Sequence, residues 1–252
     1  MDRKMFEAGL LVKKEEMSNE AQEEAIIMDK KRDELLADVA AKKAELAEIE
    51  GRPSQIERTA AEKEMVKKWE NFLKDCFPEK QFDLSGIEIP KRTPEEEKEF
   101  TRLQFRTGKL SPKEIFQKGQ ELYNAVDYTD GKMDKIVANE AASDAFIWVR
   151  DNEAADEKHD NKSALMIEQE RIDTETLSDR LLHELKYFKE TGDHLDKKTA
   201  TITSSRSADN SNAFIVAWDG GRLWVSLCRI DVGPYKYWRS RQVVSSPTKS
   251  EK

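Results

Sequence analysis

Apolar residues recur along this chain at two different periods, and the change of period divides it. From residue 15 to residue 50 there is no Gly or Pro, and Glu, Lys, Ala and Leu dominate, all good helix formers. Counted in sevens, Met28, Leu35 and Ile49 share one position that Lys42 interrupts, while Ala25, Val39 and Leu46 share another that Arg32 interrupts. This is a coiled-coil-like seam with polar gaps, suited to pairing with a second helix or to packing on its own chain. Gly51 and Pro53 stop the helix. Ser54 and Glu57 have the spacing of a capping box, and Ile56, Ala60, Val66, Trp69, Leu73 and Cys76 give the next helix its apolar face. So short a link predicts an antiparallel helical hairpin, ended by Pro78.

Residues 78–93 read as a connector in which Ile87-Glu88-Ile89 has the pattern of a short edge strand. Thr93-Pro94-Glu95-Glu96 and Ser111-Pro112-Lys113-Glu114 are capping boxes with Pro at the first helical position. They predict helices over 94–106 and 112–126. Gly119 costs the second roughly 1 kcal/mol relative to Ala. Residues 145–150, AFIWVR, have strand composition but follow a helix-like stretch, and the reading adopted is helix. A polar loop over 151–162 follows. The next helix starts near Asp173 or Thr174 and runs to Glu190, with Gly192 as its cap. Leu177, Leu181, Leu185 and Phe188 form one stripe along it.

After Asp196 the period becomes two. AFIVAW and RLWVSLCRI flank Asp219-Gly220-Gly221, a hairpin signal, with TATIT (199–203) and RQVVS (241–245) as outer strands. An antiparallel sheet of three or four strands is marginal alone, so it should lie on the preceding helix. The expected architecture is α+β: a helical-hairpin arm over 1–77, a connector over 78–93, a helical segment over 94–192, a small antiparallel β module over 193–246, and a disordered tail over 247–252.

Charge refines this picture. Charged residues make up 37% of the chain, against about a quarter in an average soluble domain, which places the excess on the solvated faces of long helices. The net charge of −8 opposes non-specific binding to nucleic acid or anionic membrane. It is unevenly spread: residues 193–252 hold 10 Lys and Arg against 6 Asp and Glu, a net of +4, leaving −12 on the rest. Cys76 and Cys228 form no disulfide framework. No apolar run approaches the roughly 20 residues of a membrane span, and the first residues lack a signal-peptide core. These features predict a cytoplasmic protein without a membrane partner.

The candidate chemistry begins at HELKYFKETGDH, 183–194. A zinc-binding HExxH helix needs histidines at i and i+4, but Tyr187 stands four residues after His183, and no metal or cofactor is implied. Glu184 falls within the edges of the apolar stripe, where a carboxylate needs a partner. Arg206 is one such partner, and a general base assisted by His194 is the catalytic alternative. Ser204, Ser205, Arg206 and Asp209 form a candidate anion-recognising cluster, since Arg offers a planar fork to carboxylate or phosphate. Trp238 and Arg239, in YKYWRSR (235–241), interleave aromatic and cationic groups. That pattern serves single-stranded nucleic acid or an edge strand with its rings packed inward. There is no P-loop, dinucleotide fingerprint, C-x-x-C or nucleophile elbow. With no catalytic constellation, the leading reading is a non-enzymatic interaction or scaffold protein. Its partner, or a second copy of itself, meets the arm through Leu35, Val39, Leu46 and Ile49, and a C-terminal module supplies recognition. The alternatives are nucleic-acid binding by that module and a small enzyme site centred on Glu184.

Overall fold

A computed structural model describes residues 31, 35, 42, 56–135, 140–231 and 235–246. The heptad seam otherwise lies outside the described residues; of its members Leu35 is helical and 60% exposed. The chain forms two compact units, Met1–Ser54 and Gln55–Lys252.

Both helices and sheets build the second unit. Its first helix, α1 (Ala60–Cys76), starts where Thr59 and Glu62 exchange capping-box bonds. The box expected at Ser54 and Glu57 does not start it: Glu57 precedes the helix, and Thr59 and Glu62 repeat the same spacing one turn later. Val66, Trp69, Leu73 and Cys76 are spaced three, four and three and are all buried. The Trp69 indole N–H donates to the Leu103 carbonyl at 2.9 Å, tying α1 into the core rather than into an arm. Both predicted Thr93 and Ser111 boxes form, but the helices they start are short. α2 (Pro94–Glu99) gives way to strand β1 (Arg102–Arg106), and α3 (Pro112–Gln120) to β2 (Ala125–Asp127). AFIWV is strand β3 (Ala145–Val149), not helix, and pairs antiparallel with β1. Phe146 to Val149 are all buried, so the strand reads as an unbroken apolar run without alternation. Ile87–Ile89 is not a strand.

Two further helices follow, α4 (Ala164–Gln169) and α5 (Leu177–Thr191). α5 begins a turn later than expected because Thr176 caps it in a box with Asp179; Gly192, at φ 72°, ends it as foreseen. Every residue from Leu177 to Lys186 is buried, which makes α5 the axis of the unit. Around it runs a five-stranded sheet of order β2-β6-β5-β4-β7, with β4 (Ala200–Arg206), β5 (Asn212–Asp219), β6 (Arg222–Arg229) and β7 (Trp238–Arg239). Gly220 and Gly221, both at positive φ, close the β5–β6 hairpin, as such a tight turn requires. The sheet exceeds the expected three or four strands because residues 125–127, inside the segment read as helical, add β2 parallel to β6. RQVVS is no outer strand: Gln242 and Val244 make single bridges to Thr174 and Trp148. Both faces of β5 are covered. Phe214 and Val216 join the core around α5, while Ala213, Ile215 and Ala217 meet Ala164 and Cys228 on the other side.

Candidate functional site

Glu184 sits on the inner face of α5 and is fully buried. Its partner is not Arg206 but Arg180, one turn earlier on the same face, whose Nη1 donates at 2.9 Å. After Gly192 the chain doubles back, bringing His194 Nδ1 to 2.8 Å and the Leu195 N–H to 3.3 Å from the Glu184 carboxylate. The His194 ring stacks on Trp218 at 3.3 Å and on Phe188 at 4.8 Å between centroids, with Tyr123 edge-on. The two residues named as catalytic candidates therefore do meet, as members of a packed network.

Asp196 completes that network. Held at φ 57°, it accepts from Arg180 Nε at 3.0 Å and from Arg241 at 2.7 Å. Thr199 and Thr201 hydroxyls add contacts at 3.0 and 2.6 Å. Arg241 also donates to the Asn152 carbonyl at 3.0 Å. Burial opposes ionisation of Asp196, but the two guanidiniums prevail and hold its carboxyl well below the usual range. A second buried pair, Glu175 and His183, lies 2.8 Å apart. Burial pushes Glu175 up to about 7 and His183 well below its ordinary value, so this pair favours its uncharged form. The sequence signal missed was Arg180: a cation at i−4 to a stripe carboxylate is the nearest partner on a helix.

The expected anion cluster is divided. Arg206 is buried and folds onto its own strand, donating to the Ser204 carbonyl at 2.9 Å and to Glu168 at 3.0 Å. Ser205 accepts the Leu177 N–H at 2.7 Å and bonds Glu140. Asp209 lies in the exposed turn after β4, where Ser207 and Ser211 bring it down to about 2. Trp238 packs against the outer face of the sheet, and Arg239 pairs with Asp160 at 3.2 Å. Tyr235 and Tyr237 remain about half exposed.

Between α4, β4 and the start of α5 lies a cavity of about 360 Å³, whose polar wall includes Arg106, Arg171, Asp173, Thr174, Ser204 and Arg206. Two of its three guanidiniums are already matched, Arg106 by Asp179 at 2.7 Å and Arg206 by Glu168. Among the described residues Arg171 and Asp173 have no ion-pair partner. The Asp173 carboxylate accepts the Ser245 hydroxyl at 2.7 Å and its carbonyl the Val243 N–H at 3.0 Å. Thr174 is 2% exposed, and its Oγ1 is buried with no hydrogen-bond partner. The first N–H groups of α5 are not open to a ligand, because Ser205, Glu140 and Thr176 occupy them. Among the described residues no cluster of three His, Cys, Asp or Glu is placed to hold a metal, and no helix is long and apolar enough to cross a membrane. No family model, curated protein or solved structure matches the chain.

Proposed function

We propose that the chain is a non-enzymatic cytoplasmic interaction protein, in which an N-terminal helical seam meets a protein partner or a second copy and the C-terminal unit carries a recognition site. One contrast carries the reading. Glu184 and His194 are paired within the core, whereas Arg171 and Asp173, exposed and without an ion pair among the described residues, line an open cavity. Exposed Leu35 supports the seam. Light scattering on the full chain and on a variant with Leu35, Val39, Leu46 and Ile49 all changed to Glu tests it. An oligomer that the substitutions convert to a monomer, or a protein that the full chain retains in a pull-down and the variant loses, is the expected result; a wild-type monomer that retains no such partner, or an oligomer indifferent to the four changes, overturns the seam.

A second reading, single-stranded nucleic acid stacked on Tyr235 and Tyr237, draws on their exposure and on Lys236 lying 5.1 Å above the Tyr237 ring. It requires salt-sensitive binding that Tyr237→Ala removes.

A further inference from the structure

Resting on the recognition reading, we infer that the cavity at the start of α5 takes a small zwitterion of the α-amino acid type with an aliphatic side chain.

The charge inventory of the wall points there. Arg106 and Arg206 are neutralised in place by Asp179 and Glu168. Among the described residues one cation and one anion of the wall, the exposed Arg171 and Asp173, form no ion pair, although Asp173 also lies in the field of Arg106. A phosphate would meet a single unmatched guanidinium and an opposing carboxylate. A ligand bearing one carboxylate and one ammonium matches both, the planar fork of Arg171 taking the carboxylate. Ala164, Ile167 and Ile172 form the apolar part of the lining and suit an aliphatic side chain. The volume of about 360 Å³ lies at the small end of ligand cavities.

Arg171 is also among the described non-glycine residues held at positive φ, with Asp130, Asn161, Asp196, Asn210 and Tyr237. Arg171 stands at φ 56°, just past the C-terminus of α4, where Gly or Asn is the usual occupant. A long side chain kept in a left-handed conformation is a strained choice, of the kind concentrated at ligand sites.

The test is an NMR titration of the labelled full chain with four probes: L-leucine, L-leucinamide, 4-methylpentanoate and inorganic phosphate. Leucine should shift amides confined to residues 164–176 and 203–206. Leucinamide lacks the carboxylate and 4-methylpentanoate lacks the ammonium, so each should bind at least about tenfold more weakly, the loss of one charge-assisted contact. Arg171→Gly should abolish the leucine shifts while leaving the rest of the spectrum in place. If phosphate or either singly charged analogue binds as well as leucine, the zwitterion assignment falls and the recognition site stands. If no probe moves these amides, both fall.

Discussion

Asp196→Asn is the sharpest probe of the buried network. The substitution keeps the side-chain shape and tolerates the left-handed backbone, since Asn is among the few residues that visit it readily. What it removes is one negative charge from a fully buried group that serves two arginines. Arg180 would retain Glu184 at 2.9 Å, and Arg241 would retain the Asn152 and Glu153 carbonyls. The amide also turns a donor toward hydroxyls and guanidiniums that are themselves donors. Removing one partner of a buried ion pair costs about 3–5 kcal/mol, and the retained contacts argue for the middle of that range. Against a total stability of roughly 5–15 kcal/mol, that is a large share. With a urea slope of about 2 kcal/mol/M, the midpoint should fall by about 2 M. All five tryptophans lie between residues 69 and 238, so intrinsic fluorescence reports this unit alone.

The pH dependence has a definite sign. The Asp196 carboxyl is depressed below its ordinary 3.8, so its stabilisation is complete above that pH and is lost as pH falls through the lower folded value. The gap between wild type and variant should be constant above about pH 5 and narrow on acidification. In the double variant Asp196→Asn/Arg241→Met, the loss should be smaller than the sum of the two single losses, because each change strands the other's charge. A midpoint shift below about 0.5 M, equivalent to about 1 kcal/mol, or strict additivity in the double variant, would refute the reasoning.

Three further substitutions read other parts of the fold. Gly119→Ala should destabilise by about 1 kcal/mol in thermal melts despite its helix-propensity gain, because the new Cβ would meet the Tyr123 hydroxyl at 2.6 Å and that ring is held by Phe188 and His194; a stabilised variant contradicts this. Arg171→Gly should raise stability by about 0.5–1 kcal/mol by relieving a left-handed residue, and a lower melting temperature would count against the strain argument. For Glu175 and His183, an unfolded chain between pH 4.5 and 6.5 keeps the pair's one proton on His183, whereas the folded chain keeps it on Glu175; the pair then contributes no pH dependence there. In His183→Leu the raised carboxyl stands alone, so denaturation midpoints should fall as pH rises from 4.5 to about 7, and a flat profile would show that Glu175 is not the proton carrier.

Much of the local grammar was legible. The Thr93 and Ser111 boxes, the Gly192 cap and the Asp219-Gly220-Gly221 hairpin all depend on contacts within a few residues, and all form. Strands were harder to read where nothing local distinguishes them. Phe105 and Leu103 in β1 follow a strong helix start, and propensity favours continuing the helix past residue 99; pairing with β3, some 40 residues away, decides otherwise. β3 itself is buried so completely that its apolar residues show no alternation. The stripe on α5 located Glu184 in the core, and the need for a partner followed from that position. Its partner Arg180, four residues earlier on the same face, was legible by helix spacing alone; the rest of the network was not, because Asp196 and Arg241 reach Arg180 only through the turn after Gly192 and the segment bridged at residues 242 and 244. The cavity was invisible for the same reason: Arg106, Arg171 and Arg206 are each 35 or more residues apart in sequence.

The buried charges and the open cavity belong to one design. Asp196 fastens α5, through Arg180, to β4 through Thr201 and to the segment after β7 through Arg241. In the same first turn of the helix, Asp179 holds Arg106 on β1 and Ser205 on β4 holds the Leu177 N–H. With the first turn of α5 tied to β1, to β4 and to the segment after β7, the wall carrying Thr174, Ser204 and Arg206 is held in place, and its groups would be set before a ligand arrives. Pre-set polar groups lose little freedom on binding, which is where affinity for a small ligand is otherwise lost. Arg171 is the exception, on the exposed rim and with no ion pair among the described residues. A fixed wall with one adjustable cation at its edge would suit the capture of a small charged group, and the saturated pair at Glu184 would serve such a site by holding the helix in place.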